Sequence, residues 1–384
     1  MILGVQVTDY ADRTRVVLEV SDPLTLRVFT LDNPNRVVMD MAQVLWRLQG
    51  SPPPSAKSVV RAYRYGLFRP GNSRLVMDLN RAVKPTAPVA LAPQGGYGYR
   101  VVIDLLPTTQ TQFKLAAGWP ADLKARETAA EQKSSDTARL QARSAGGRKI
   151  VVLDAGHGGI DTGTSSADGL HEKDLVLDVV QRVKKALQAR GRYKVYLTRD
   201  DDTYIPLGQR VRIARSYDAD LFVSIHADSN PNPSVYGASV YTLSEAGSDK
   251  EAAALAAKEN QSDIIAGVDL SNEDTPVASI LIDLAQRDTM NRSSRFAETA
   301  VMQLRNATDI LPRQPHRSAA FAVLKAPDVP AVLIELGYLS NASDAGQMGT
   351  ARWRNSVAEA IAGAIDRNFA GKRQTLTASQ EASD

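Results

Sequence analysis

Two histidines and two glutamates in this sequence are of the types that hold a metal ion and move a proton. His157 follows the apolar run Lys149-Ile-Val-Val-Leu153, in the stretch Asp154-Ala-Gly-His-Gly-Gly159. His226 closes Asp220-Leu-Phe-Val-Ser-Ile225, Glu335 closes Val332-Leu-Ile334, and Glu172 opens a predicted helix in Gly169-Leu-His-Glu-Lys173. Two histidines and one carboxylate leave a fourth coordination position for water. A metal there acidifies that water, and a second carboxylate is then needed to take the proton and pass it on. Glycines 156, 158 and 159 allow a sharp turn beneath such a site. A histidine after a strand is more often a satisfied polar residue than a ligand. The chain has only four histidines, however, and two stand at equivalent strand ends. Glu335 inside an apolar strand requires a partner, a metal or a proton. His171, beside Glu172, is read as structural, and His316 as a substrate-side residue at most. Donor types and spacing do not by themselves choose zinc over other transition metals.

Strands alternating with helices would carry these groups. From Arg148 onward, predicted strands at 149–153, 194–198, 220–225 and 238–242 alternate with helices at 173–190 and 207–217. Later come a helix at about 292–306, strands at about 320–325 and 330–335, and a final helix at about 351–369. This order predicts an α/β domain with a mixed, mostly parallel sheet covered on both faces. Ligands bind at the carboxyl ends of strands in such sheets, where three of the four groups fall and the fourth opens a helix.

Residues 1–115 have a different pattern. A basic residue, three apolar residues and an acid recur at Arg15–Glu19, Arg36–Asp40, Arg74–Asp78 and Arg100–Asp104. Turn signals such as Asp32-Asn-Pro-Asn35 and Pro70-Gly-Asn72 separate them, which predicts a small all-β sandwich. The repeated charges suit solvated strand ends and cross-strand pairs, or alternatively a polymer-binding surface. Residues 116–147, rich in Ala, Lys, Glu, Gln, Ser and Thr, read as a linker, and 372–384 as a disordered tail.

Composition narrows the classes. The chain has 384 residues, 46 basic and 43 acidic, with a net charge of +3, too balanced to argue for nucleic acid. It has no cysteine, so any metal must be held by His, Asp or Glu. No apolar run approaches the roughly 20 residues that span a bilayer. The start at Met1-Ile2-Leu3-Gly4-Val5 has neither the basic segment nor the apolar core of a signal peptide, so the expectation is either a cytoplasmic chain or a trimmed secreted one. Nothing demands more than a monomer.

Residues 148–370 resemble the catalytic domain of the zinc-dependent N-acetylmuramoyl-L-alanine amidases, the family of the division amidases. The matching motifs are Asp154-Ala-Gly-His-Gly-Gly159, Gly169-Leu-His-Glu-Lys173, Thr198-Arg199, Ser224-Ile-His-Ala-Asp228 and Glu335-Leu-Gly-Tyr-Leu-Ser-Asn341. The resemblance implies zinc ligands at His157, Glu172 and His226, a catalytic Glu335, and cleavage between N-acetylmuramic acid and the L-alanine of peptidoglycan. Residues 1–115 resemble the AMIN domain, a β-sandwich that targets such enzymes to peptidoglycan. The implied compartment is the periplasm, which favours the trimmed-signal reading. Two rivals remain open here. Zinc carboxypeptidases and deacetylases share the donor set, and a wall-binding protein with a decayed site would share the fold.

The segment between Leu243 and Arg292 is longer than a compact α/β connection requires. It predicts one helix over 248–265, capped by Ser248 with Glu251 completing a capping box, and a second over about 275–288. The second carries an apolar stripe of Val277, Ile280, Leu281 and Leu284. In the family, an insert here plugs the zinc cleft with a glutamate, and its second helix docks in the groove of a LytM/EnvC-type activator. The resemblance therefore implies a metal-blocking Glu259, with Glu251 and Glu273 as weaker candidates, and an activator surface at the stripe.

Overall fold

A computed structural model describes residues 1–48, 54–55, 57–69, 71–125, 129, 147–268 and 280–380, without the side chains of 280–286 and 371–380. The chain divides into two compact units.

The first unit is all-β. Strands β1 (Ile2–Asp9), β2 (Thr14–Val20), β7 (Val83–Pro85), β8 (Val89–Leu91) and β9 (Tyr99–Pro107) form one sheet, in the order β1-β2-β9-β7 with β8 also on β9. Strands β3 (Leu26–Leu31), β4 (Arg36–Ala42), β5 (Val60–Arg69) and β6 (Asn72–Leu79) form the other, in the order β3-β4-β6-β5. Both sheets feed one core, with Val16, Leu18 and Ile103 from the first and Val37, Met39 and Met77 from the second.

The charged repeat has a simple structural cause. The two copies in each sheet pair antiparallel, so the base of one strand stands opposite the acid of the other. Arg15 is paired with Asp104 and Glu19 with Arg100; Arg36 is paired with Asp78 and Asp40 with Arg74. The Arg15–Asp104 pair is bidentate and partly exposed. The Arg74–Asp40 pair is also bidentate, at 2.6 and 2.8 Å, and almost fully buried. The second sheet uses its arginines further. Arg36, Arg64 and Arg74 donate to the main-chain carbonyls of Ile264, Ile265, Ala266 and Gly267, a segment that belongs to the same compact unit. Strand-end solvation does not describe these groups, because a guanidinium with several fixed donors can satisfy consecutive carbonyls in a dry setting.

The second unit is α/β. Its sheet has the order β11-β10-β12-β15-β13-β14, from β10 (Lys149–Ala155), β11 (Tyr193–Leu197), β12 (Leu221–His226), β13 (Ser239–Leu243), β14 (His316–Ala319) and β15 (Ala331–Glu335). Strands β11, β10, β12 and β15 are mutually parallel, and β13 runs antiparallel to β15. Along β10, Val151, Leu153 and Ala155 face one core while Ile150 and Val152 face the other. The first core takes helices α2 (Glu172–Ala189), α6 (Ile280–Leu304) and α8 (Ala351–Gln380); the second takes α3 (Leu207–Ser216) and α4 (Lys250–Glu259). Two apolar faces per strand explain the continuous apolar runs of the sequence. Helix α1 (Gln110–Ala116) belongs to the first unit, and α5 (Ser262–Ile265) and α7 (Ala342–Met348) complete the helices used below.

Four elements differ from expectation. The strand placed at 320–325 lies instead at His316–Ala319, and 322–324 form a 3₁₀ turn. The strand is an edge element of polar composition, whereas the apolar Val323 and Leu324 fill the core from a turn. The helix expected over 248–265 is capped by Asp249, whose carboxylate accepts from Ala252 N at 2.8 Å, and α4 stops at Glu259. There the Asn260 side chain is taken up by Ala320 O and Ala322 N, which draws the chain out of helical register. The described part of the helix expected at 275–288 and the helix expected at 292–306 are one continuous α6 from Ile280, since no Gly or Pro interrupts residues 288–292; residues 275–279 lie outside the described residues. The last helix continues to Gln380, through most of the residues assigned to a tail.

Candidate metal centre

Register brings the site together. In the parallel pair β12–β15, His226 stands directly beside Glu335. On the other side of β12, Gly156 continues β10, and its N–H bonds Ile225 O at 3.1 Å. His157 follows with φ +59°, a left-handed conformation that a non-glycine residue adopts only when its surroundings impose it. The surroundings here are two buried guanidiniums. Arg210 donates to Ala155 O at 2.6 Å and His157 O at 2.7 Å, and Arg199 donates to Ala155 O at 3.0 Å and Gly156 O at 2.8 Å. Nothing local in the sequence distinguishes Arg210 from a surface arginine of an amphipathic helix.

Asp154 balances Arg210. It is wholly buried and accepts from Arg210 at 2.9 Å, Thr198 Oγ1 at 2.6 Å and Ser224 Oγ at 2.6 Å. Burial by itself would raise its pKa, but Arg210 and the two hydroxyls hold it below the usual aspartate value. A depressed folded value means that this carboxylate contributes stability above its ordinary pKa and loses it as pH falls through the depressed value. Arg210→Met would strand a buried carboxylate and is expected to destabilise the fold by about 3–5 kcal/mol. Urea denaturation at neutral pH measures this. A change below about 1 kcal/mol, within the range of exposed pairs, would show that the pair does not brace the turn.

The donor atoms converge. One ligand atom from each of His157, Glu172 and His226 lies within 4.8 Å of the others, and all three residues are buried. Glu172 Oε1 is 3.1 Å from His157 Nε2 and 3.2 Å from His226 Nδ1. Main-chain N–H groups of Ala227 and Thr164 aim its two oxygens, each at 2.9 Å. Burial would raise the Glu172 pKa, but the two imidazoles hold it well below the carboxylate range. His226 is the counterpart: burial would lower it, yet Glu259 and Glu172 push it up to about 10. A cation bound here would therefore displace a proton.

Glycines shape the cradle. A Cβ on Gly156 would lie 2.3 Å from His226 Cε1, and one on Gly163 would lie 2.6 Å from Glu172 Oε2 and 2.7 Å from His157 Cδ2. Nothing in the sequence marks Gly163, one glycine of a polar loop.

Glu335 and Glu259 flank the cluster. Glu335 is fully buried; its Oε2 accepts from Asp228 N at 3.0 Å, and its Oε1 has no hydrogen-bond partner among the described residues. Burial pushes its pKa well up; His226 opposes this, and Asp228, Glu172 and Glu259 add to it. Glu259, the last residue of α4, points Oε2 to within 3.4 Å of His157 Nε2 and 3.2 Å of His226 Nδ1. Four contacts of 3.1–3.4 Å thus join Glu172 and Glu259 to the two imidazoles. A zinc site with metal–ligand distances of about 2.0–2.1 Å has tetrahedral edges of about 3.3–3.4 Å, the length of these four contacts, and two imidazoles with a carboxylate are donors that zinc takes.

The remaining candidates lie elsewhere. His171 stands at the N-cap position of α2, and its ring shares a hydrogen bond of 2.7 Å with Ser165 Oγ instead of capping the helix. His316, on the edge strand β14, faces Thr242 Oγ1 at 3.2 Å. Glu251 is exposed and pairs with Arg317. Glu273 and Val277 lie outside the described residues; Ile280, Leu281 and Leu284 lie in the first turns of α6.

The N-acetylmuramoyl-L-alanine amidase family model matches residues 151–367, and the AMIN domain model matches residues 4–105. The amidase AmiC of Escherichia coli O6:H1 is 34% identical over 376 residues, covering 96% of this chain and 89% of that protein. The chain belongs to the N-acetylmuramoyl-L-alanine amidases. AmiC of Neisseria meningitidis serogroup B is 35% identical over 367 residues, covering 92% of this chain and 86% of the relative. AmiA of Escherichia coli K12 is 39% identical over 237 residues, covering 62% and 81% respectively. The carboxypeptidase, deacetylase and binding-module readings are thereby set aside, and the amidase acts on peptidoglycan. No described helix is long and apolar enough to cross a membrane.

Proposed function

We propose that this amidase is a zinc enzyme of the periplasm that separates daughter cells, is silenced by its own helix α4, and is released by a LytM-type activator acting on the insert. The observation that carries the proposal is Glu259 facing both histidines of the cluster across 3.2–3.4 Å. A carboxylate in that position competes with water and with the substrate carbonyl. The AMIN-like unit would hold the enzyme on the wall polymer.

His157, Glu172 and His226 would hold the ion, with main-chain N–H groups orienting Glu172. The bound ion supplies Lewis acidity, which polarises the amide carbonyl and acidifies water. Glu335 supplies the proton relay. Held by Asp228 N beside His226, it takes the proton of the attacking water and delivers it to the nitrogen of L-alanine as the C–N bond breaks. The pKa pushed up by burial suits it to both halves of that transfer.

Metal analysis of the purified chain is expected to find near-stoichiometric zinc, and digestion of purified sacculi with activator present is expected to release stem peptides with a free L-alanine amino group. Well-folded protein that neither carries nor takes up zinc would overturn the metal assignment.

A further inference from the structure

Helix α4 brings two charges into the cleft, and the plug described above uses only one of them. Next to Glu259, Lys258 reaches Asp228 Oδ1 with its Nζ and also lies 3.0 Å from Thr164 Oγ1 and 3.2 Å from Ser229 Oγ. These acceptors are preassembled, since Thr164 Oγ1 is 3.3 Å from Asp228 Oδ1 and 3.4 Å from Ser229 Oγ. Asp228 is buried at 4% exposure, and a buried carboxylate calls for a cation. Its own N–H is the group that holds Glu335. The ammonium seat thus adjoins the glutamate that protonates the leaving nitrogen. The second oxygen of that buried glutamate is without a hydrogen-bond partner among the described residues, which marks a place for a donor from a bound molecule.

The chemistry of the reaction says what such a seat is for. Hydrolysis adds the water oxygen to the lactyl acyl carbon and breaks the C–N bond. The products are a carboxylate on the sugar and an amine on L-alanine, which takes a proton and becomes an ammonium. The last two residues of α4 carry the same two charges, the carboxylate at the histidines and the ammonium at Asp228. We propose that Asp228, Thr164 and Ser229 form the subsite for the α-ammonium of the released stem peptide, and that Lys258 and Glu259 inhibit as a mimic of the two products. This rests on the plug reading above.

The test uses the full chain with Lys258→Ala and Glu259→Ala together, zinc-loaded, with L-alanyl-D-glutamate as the probe. By titration calorimetry at neutral pH, the free dipeptide is expected to bind at least about tenfold more tightly than its N-acetyl form. Asp228→Asn in that background should erase most of the preference without loss of zinc. Thr164→Val should weaken it in the same sense and stands in if Asp228→Asn does not fold. Equal binding of the two dipeptides, no binding of either, or a preference that survives both substitutions would overturn the subsite. The last outcome would place the amine on the metal. Digestion of sacculi by the same preparation separates the two ideas: a double variant no more active than the native chain sinks the plug, whatever the calorimetry shows.

Discussion

Glutamine in place of Glu335 is expected to lower the turnover of purified sacculi by about 100- to 10,000-fold, the usual range for loss of a general acid–base group. The substitution is nearly isosteric, and the amide oxygen can still accept from Asp228 N, so the fold has no reason to change. What is lost is the ability to take a proton. Glu172 cannot replace it, because two main-chain N–H groups aim it at the histidines. Zinc content should remain that of the native chain, because Glu335 is not among the three converging donors. Activity should be compared with a LytM-type activator present, so that the autoinhibition proposed above does not mask the difference. Turnover within about tenfold of native would remove Glu335 from the proton relay and turn attention to Asp228.

The second large effect has the opposite sign. Glu259→Ala is expected to raise activity without activator by at least about tenfold, since each tenfold shift in the open fraction needs only about 1.4 kcal/mol of lost plug contact. Removing Glu259 deletes the carboxylate facing His157 and His226, while Ala252, Leu255 and Ala256 still anchor α4 in its core. Glu251→Ala is the control. Glu251 is exposed and pairs with Arg317, so its loss should leave basal activity unchanged. The gain should be accompanied by a fall in the His226 pKa from about 10, because Glu259 is the largest of the influences that raise it. Nuclear magnetic resonance of the metal-free protein reads that shift. Basal activity equal to the native chain, with zinc retained, would show that Glu259 does not close the site.

Much of this arrangement was legible from residue types and local spacing. Strands buried on both faces need continuous apolar runs, so β10, β12 and β15 announced themselves, and with them the strand ends that carry His157, His226 and Glu335. Capping and breaker rules are also local, yet they placed α4 imperfectly, because Asp249 outcompeted Ser248 for the cap and Asn260 found partners sixty residues away. Edge strand β14 gave no periodic signal, since only its neighbour and not its composition makes it a strand.

Residue types settle the donor chemistry: without cysteine, a metal must fall to histidine and carboxylate, and only four histidines compete for the role. The sequence also contained the Arg–Asp repeat, whose meaning is a register. Tertiary structure alone decided that base meets acid across β4 and β6, that Arg210 braces the His157 turn, and that Gly163 leaves room for Glu172. Between the two described candidates for the metal-facing glutamate, it set Glu259 against the histidines and Glu251 against Arg317. The reason is the range of the forces involved. Periodicity and capping act within a few residues, whereas the pairing of buried charges and the fit around a small cradle depend on groups that meet only after the sheet has set their register.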